Sequence, residues 1–295
     1  KSGGPVQLIV NILVLTSIYA LIACGYVLIY RVSRVLNLAH GELMMLGPYL
    51  LIATTSALAA NPFAALLMAL VLSLAVGGMV YVFLMRRMTG EMVLAAVLTT
   101  VALGILLRGM ILLIWGATPK HPREMLGWEN PVFILPGDAR ISFYAALLIV
   151  MTVLVFTSIM LFMRFGRWGM RMRAAGQNPL LAAQRGINLH LVFALAWGLS
   201  TFTGSIAGIL IALDSGLDST MVLIGLKAFP AALVGGLDSL FGALIGALII
   251  AAVEIGVIRF VDPLLAEVVP FLVLIVTLII RPWGLFGTKE ELDRV

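Results

Sequence analysis

Residues 169–190 read GMRMRAAGQNPLLAAQRGINLH, and this stretch decides how the chain is laid out. It is a polar, basic island in a sequence that is otherwise nearly continuous hydrocarbon. Between positions 164 and 190 lie five arginines (Arg164, Arg167, Arg171, Arg173, Arg185) and no acidic residue. Such a segment cannot sit in lipid, and its arginines place it on the cytoplasmic side of a membrane. It carries its own helix punctuation. Asn178 suits an N-cap, Pro179 the first helical position and Gly186 the C-terminal stop. A short helix over 178–186 is therefore predicted on the inner face, with Leu180, Leu181, Ala182 and Ala183 as a compact apolar surface. That surface suits a groove on another protein and, equally, a bed of anionic lipid.

Outward from this island the chain is apolar. Of 295 residues, 62% are hydrophobic and 11% charged, with a mean hydropathy of +1.14; a soluble domain carries about a quarter charged residues. The reading is an all-α polytopic transmembrane helix bundle, with 1–295 as one membrane domain. The net charge of +5 does not point to nucleic acid, because the arginines cluster in a few loops between spans, where membrane orientation accounts for them. The lone Cys24 lies in an apolar run and forms no intrachain disulfide. The opening Lys1–Pro5 lacks a methionine and reads as trimmed. The first apolar run, 6–30, is too long for a signal-peptide core and is kept as a span.

A crossing helix needs about 20 apolar residues. Spans are expected at 6–30, 36–58, 62–85, 93–116, 142–163, 191–213, 221–236, 240–258 and 264–281, eight or nine in all. The seventh is short, interrupted by Phe229-Pro230 and Gly235-Gly236, and reads as broken or re-entrant. With the N-terminus outside, the inner segments hold Arg31, Arg34, Arg86, Arg87, the five arginines of 164–190, Arg281, Lys289 and Arg294. The outer ones hold Lys1, Lys120, Arg123, Arg140 and Arg259. That balance gives N-outside and C-inside. If 221–236 does not cross, everything after it reverses. The external loop 117–140, rich in proline, tryptophan and mixed charge, either docks a soluble partner or is a solvated loop with Trp128 at the interface. Gly204-x-x-x-Gly208 and Gly242-x-x-x-Gly246 read as helix-packing faces.

The sequence has no G-x-x-x-x-G-K-[ST], no H-E-x-x-H, no Cys/His cluster and no G-x-S-x-G. No catalytic or metal-ligating set is expected. Ionisable groups within spans are the remaining candidates. Asn37 and His40 stand three apart, on one face of the second span, with Glu42 beside them and Gly41 and Gly47-Pro48 loosening the helix. They either line a pathway or sit at the inner interface. Arg108 and Glu254 fall in the outer half of their spans and are expected to pair. Lys227, just before Phe229-Pro230, either lines the pathway with Phe229 or snorkels toward Asp214 and Asp218.

NLAHGELMMLGPYL at 37–50, RAAGQNPLLAAQRGINLHLVFALAWGLSTFTGSIAGIL at 173–210 and LKAFPAALVGGLDSLFGALIGALIIAAVE at 226–254 occur in this order. Together they resemble the permeases of branched-chain amino acid-type ABC importers, and the "H" type more than its "M" paralogue. The resemblance covers nearly the whole chain. It implies a type II ABC importer-like permease in the bacterial inner membrane, with a paralogous permease, two cytoplasmic ATPase subunits and an extracytoplasmic substrate-binding protein as partners. No cofactor is implied in this chain; ATP and Mg belong to the ATPases. The segment 173–188 then corresponds to the coupling helix, which carries over to Arg173, Ala174, Gly176, Asn178, Ala182, Ala183, Gly186 and Ile187. Substrates of similar permeases range over branched-chain amino acids, urea, amides and aromatic acids. Pro230 departs from the small residue common at its position. An ATP-independent secondary transporter or channel is the alternative; it predicts an acidic relay through the spans, and only Arg108, Lys227 and Glu254 are present. A membrane-embedded enzyme lacks a nucleophile–base or metal set.

Overall fold

The computed structural model describes residues 4–58 and 61–288. Lys1, Lys289 and Arg294, counted above for orientation, lie outside them. The helices are α1 (Pro5–Ser33), α2 (His40–Ala57), α3 (Pro62–Phe83), α4 (Val93–Trp115), α5 (Pro122–Leu126), α6 (Phe143–Phe165), α7 (Arg167–Gln177), α8 (Pro179–Gln184), α9 (Leu189–Ser215), α10 (Val222–Gly235), α11 (Leu240–Phe260) and α12 (Val269–Ile280). Six stretches, formed by α1, α3 with the turn after it, α4, α6, α9 and α11, are long and apolar enough to cross a membrane. The fold is an all-α polytopic bundle. Among the described residues the one sheet is a hairpin that closes the loop before α6, β1 (Val132–Leu135) and β2 (Ala139–Ser142), with Val132 opposite Ser142. Gly137 and Asp138 both take positive φ, 81° and 55°, as a tight hairpin turn demands.

Contacts sort the loops into two ends. At one, Gln7 Nε2 donates to the Arg140 carbonyl at 3.1 Å. There too Lys120 and Leu217 exchange backbone bonds of 2.8 and 2.9 Å, and Phe63 packs on Trp128 at 5.6 Å. At the other, Arg34, Met88, Gly90, Pro179 and Leu189 line one cavity, and Tyr30, Arg34, Asp238 and Trp283 line another. The Leu285 amide donates to the Val234 carbonyl at 2.8 Å. Residues 4 and 288 thus lie at opposite ends, and the described chain passes between the ends nine times. The segment around 221–236 does pass, so nothing after it reverses. Arg31, Arg34, Arg86, Arg87, Arg281 and the five arginines of 164–190 share the second end, called the basic end here.

Three passages are not single full-length helices. α12 has 12 residues after a short turn at Pro263–Glu267, and α10 and α2 are the other two. α10, at 14 residues, spans about 21 Å. Pro230 and Phe229 do not break it: the helix runs through Pro230 and stops at Gly235, followed by Gly236 at φ +106°. It is short because 216–221 descends from the end opposite the basic one before the helix starts. α2 likewise starts in the interior, after residues 34–39 climb from the basic end in irregular form. The two N-terminal turns meet there. The Val222 carbonyl would lie 2.9 Å from a Cβ on Gly41. Asn37 therefore does not share a helical face with His40. Its Oδ1 accepts from the Ala39 amide at 3.1 Å, a local turn that holds the chain out of the helix until His40.

The core is built on α1 and α9, whose central windows are 72% and 78% buried. Close backbone approach makes this possible. A Cβ on Gly208 would strike the Met44 carbonyl of α2, and one on Gly246 the Ala231 carbonyl of α10, so both predicted glycine pairs are packing faces.

Candidate functional site

The basic end carries a two-helix platform. α7, missed in the sequence, is readable as a helix only from Gly169, Met172, Ala175 and Gly176, which recur at helical spacing and are all buried. Gly169 sits on the Phe162 carbonyl of α6 and Gly176 on the Arg31 carbonyl of α1; no Cβ fits at either place. α7 is thereby seated on the ends of two membrane helices. Arg173 adds a bond from Nη2 to the Arg164 carbonyl at 3.2 Å, and the Arg171 guanidinium stacks on Trp168 at 4.5 Å.

Asn178 joins the two helices. Its amide donates to the Ala174 carbonyl at 3.1 Å, and its Oδ1 accepts from the Leu181 amide at 3.0 Å. α8 is the predicted short helix, with Pro179 in its first turn and Gly186 at φ +78° beyond its end. Asn188 then caps α9 through the Leu191 amide at 3.2 Å. The predicted apolar surface splits in two. Leu180 and Leu181 are exposed at 69% and 56%, whereas Ala182 is buried at 5%; Ala183 is exposed and Ile187 half-buried. Of the carried-over positions, Gly176 and Ala182 hold the platform together, Ala174 and Arg173 flank it, and Ala183 joins Leu180 and Leu181 on the outward face.

The second polar region lies in the bundle interior, where α2 and α10 begin. His40 is fully buried, enclosed between α1 and α9. A Cβ at Gly25 of α1 would collide with its ring, and one at Gly204 of α9 would stand 3.1 Å from it. Tyr26 meets the ring edge-on at 4.7 Å, and the Ser200 hydroxyl lies 3.4 Å from Nδ1 while donating to the Gly25 carbonyl at 2.8 Å. Tyr26 also donates to the Gly225 carbonyl at 3.1 Å, and its ring packs on Phe229 at 5.3 Å. His40 and Phe229 thus belong to one interhelical knot. Gly25, Tyr26 and Ser200 had no signal of their own in the sequence, since small and hydroxyl residues are common in membrane helices.

The expected pairing of Arg108 with Glu254 is overturned. Arg108 Nη2 donates to Glu42 Oε1 at 2.7 Å. Glu254 accepts from the Tyr19 hydroxyl at 2.7 Å and from Lys227 Nζ at 3.5 Å. Each cation takes the acid on a helix packed beside it: α4 lies on α2, and α10 on α11. Lys227 accordingly does not reach toward Asp214 or Asp218. Asp214 instead accepts from Asn130 at 2.9 Å and Ser142 at 2.5 Å, fastening the hairpin to the end of α9. Glu42 occupies the first turn of α2, where a carboxylate complements the positive end of the helix dipole. Among the described residues, no cluster of three or more His, Cys, Asp or Glu side chains is disposed to hold a metal ion.

Comparison with known proteins agrees with this architecture. Residues 8–278 match the family described as branched-chain amino acid transport system / permease component. The high-affinity branched-chain amino acid transport system permease protein LivH of Escherichia coli K12 is 28% identical, over 98% of this chain and 97% of its own. BraD of Pseudomonas aeruginosa, described in the same words, is 30% identical over 98% and 97%. The probable LivH of Methanocaldococcus jannaschii is 26% identical over 100% and 97%. The Streptococcus pneumoniae PsaBC structure with Fab is 12% identical over 94% of this chain and 92% of its own, at a TM-score of 0.49, a likeness from which nothing about this chain follows. The relatives are permease subunits, and this chain belongs to the branched-chain amino acid transport permease family of ABC importers.

Proposed function

We propose that this chain works in the bacterial inner membrane beside a paralogous permease, with two cytoplasmic ATPase subunits beneath it and an extracytoplasmic binding protein above. The N-terminus is outside and the basic end cytoplasmic, as its arginine content supports. ATP and Mg reside on the ATPases; this chain supplies half of the path for a branched aliphatic amino acid, the cargo in its relatives' names.

The observation that carries this reading is the α7–α8 platform. Two leucines and an alanine stand exposed on a six-residue helix whose base is seated by glycine contacts on α1 and α6. A lid of lipid-bound leucines has no need of such a mount, whereas a lever does. Closure of the ATPase pair on ATP displaces α8, and the seated platform passes the displacement to α1, which packs along α9, α10 and α11. The two packings of the bundle then differ in affinity for the loaded binding protein, and that difference couples the sites. Leu181→Asp puts a charge into the docking groove. It is expected to abolish L-leucine uptake by the reconstituted complex while the chain stays inserted and paired with its paralogue. Wild-type uptake by that variant overturns the lever.

A further inference from the structure

One charge in the membrane interior is only half covered. The Arg108 side chain keeps 47% of its surface exposed, against 9% for its partner Glu42. Arg108 stands seven residues before the end of α4 at Trp115, about 10 Å from the outer end at 1.5 Å per residue. A lipid-facing arginine at that depth extends toward the nearer interface. This one runs the other way. The Glu42 carboxylate it meets lies level with Gly104, 3.1 Å from where a Cβ there would be, one turn closer to the membrane centre. Among the described residues Glu42 is its one hydrogen-bond partner, so most of the guanidinium's five N–H groups are left for whatever lies on the open side. The next residue, Gly109, is exposed as well and has nothing within 4 Å of a built Cβ, so among the described residues no side chain closes over the helix there.

Hydrocarbon is the one medium that does not fit this arrangement, because it satisfies none of those donors. The geometry points to Arg108 as a carboxylate contact on the translocation pathway: its free N–H groups meet the carboxylate of a passing α-amino acid. This rests on the transport reading above. Glu42 has two tasks in it. It fixes the guanidinium against α2, and it competes for the charge, so that the cation does not hold the cargo. A conducting path needs contacts favourable enough to enter and weak enough to leave.

The test uses the assembled complex in proteoliposomes. The chain has a single cysteine, buried in α1, so Cys24→Ser gives a clean background. In it, Arg108→Cys is compared with Leu113→Cys, which is 87% exposed and nearer the outer end, using a water-soluble cationic methanethiosulfonate. Depth alone favours position 113. The proposal expects position 108 to react about tenfold faster, since only it borders water, and to be slowed by L-leucine with its binding protein. Equal or slower reaction at 108 overturns it. Uptake supplies the second arm. Arg108→Gln should slow L-leucine uptake about tenfold or more, the worth of one charge-assisted hydrogen bond. The exchanged pair Glu42→Arg/Arg108→Glu should stay as slow while assembling normally. Recovery of uptake by the exchanged pair makes the ion pair purely architectural and overturns the proposal, as does failure of Arg108→Gln to associate with the paralogous permease. Absence of ATP-driven leucine uptake by the wild-type complex sinks the transport reading instead.

Discussion

α1 and the pair α3 and α4 are matched in hydropathy, at 2.4 for α1 and α3 and 2.3 for α4, yet 72% of α1's window is buried inside the protein against 22% for each of the others. Hydrophobicity does not separate them, because lipid is as apolar as a leucine side chain and offers no drive for one helix to prefer the interior. What separates them is how many faces carry close contacts. Leu21 through Leu28 of α1 are all buried, with α6, α9, α10 and α11 around them. α4 buries one seam, Ala96, Thr100, Leu103 and Gly104, against α2, and turns Leu98, Ile105 and Leu113 outward. Core and periphery here differ in packing, not in polarity.

The comparison breaks most severely where backbone meets backbone. Gly208→Leu drives a side chain into the Met44 carbonyl; overpacking of this kind costs about 3 kcal/mol or more, and the complex should be lost from size-exclusion profiles. A well-folded Gly208→Leu complex means that the α2–α9 contact is not part of the core.

A smaller effect is expected at the Lys227–Glu254 pair. Glu254→Gln leaves Lys227 without its acid, and because the lysine is 21% exposed, the penalty falls below that of a fully buried pair, at about 2 kcal/mol. Lys227→Met in the same chain should restore most of the lost melting temperature. No recovery places the stabilisation in the Tyr19 bond instead.

α8 sharpens the contrast within six residues. Ala182→Trp fills a buried position and should lower the melting temperature by the equivalent of about 1–3 kcal/mol. Ala183→Trp faces outward and should leave the melt unchanged while stopping uptake. If both variants behave alike, the two faces of α8 are not distinct.

The smallest effect is expected on the periphery. Leu67→Ala in α3, at 65% exposure, should change stability by less than about 0.5 kcal/mol. A larger loss assigns that face to a protein contact.

Much of this was legible in the one-dimensional chain. Hydropathy located the spans to within a few residues, except that the second and the last begin later. The arginine tally sorted the loops into two groups that the fold does bring to opposite ends. Asn178, Pro179 and Gly186 marked α8, because capping is settled by neighbours within four residues. The glycine pairs at 204/208 and 242/246 announced close approach, because periodicity is a local property. Pro230 misled, since a proline tolerated by its surroundings leaves the helix unbroken.

The tertiary structure alone decided the rest. Arg108 had two acids within reach of its depth, and only the adjacency of α4 and α2 gave it Glu42. Leu181 and Ala182 are neighbours of similar polarity, and only the seat of α7 on α1 and α6 turned one out and the other in. The meeting of α2 and α10 at the membrane interior depends on two irregular segments, 34–39 and 216–221, that carry no periodicity to read. Propensity, capping and hydropathy act along the chain and can be read from it. Partner choice, facing and depth arise from contacts between residues far apart in sequence, and no local pattern encodes them.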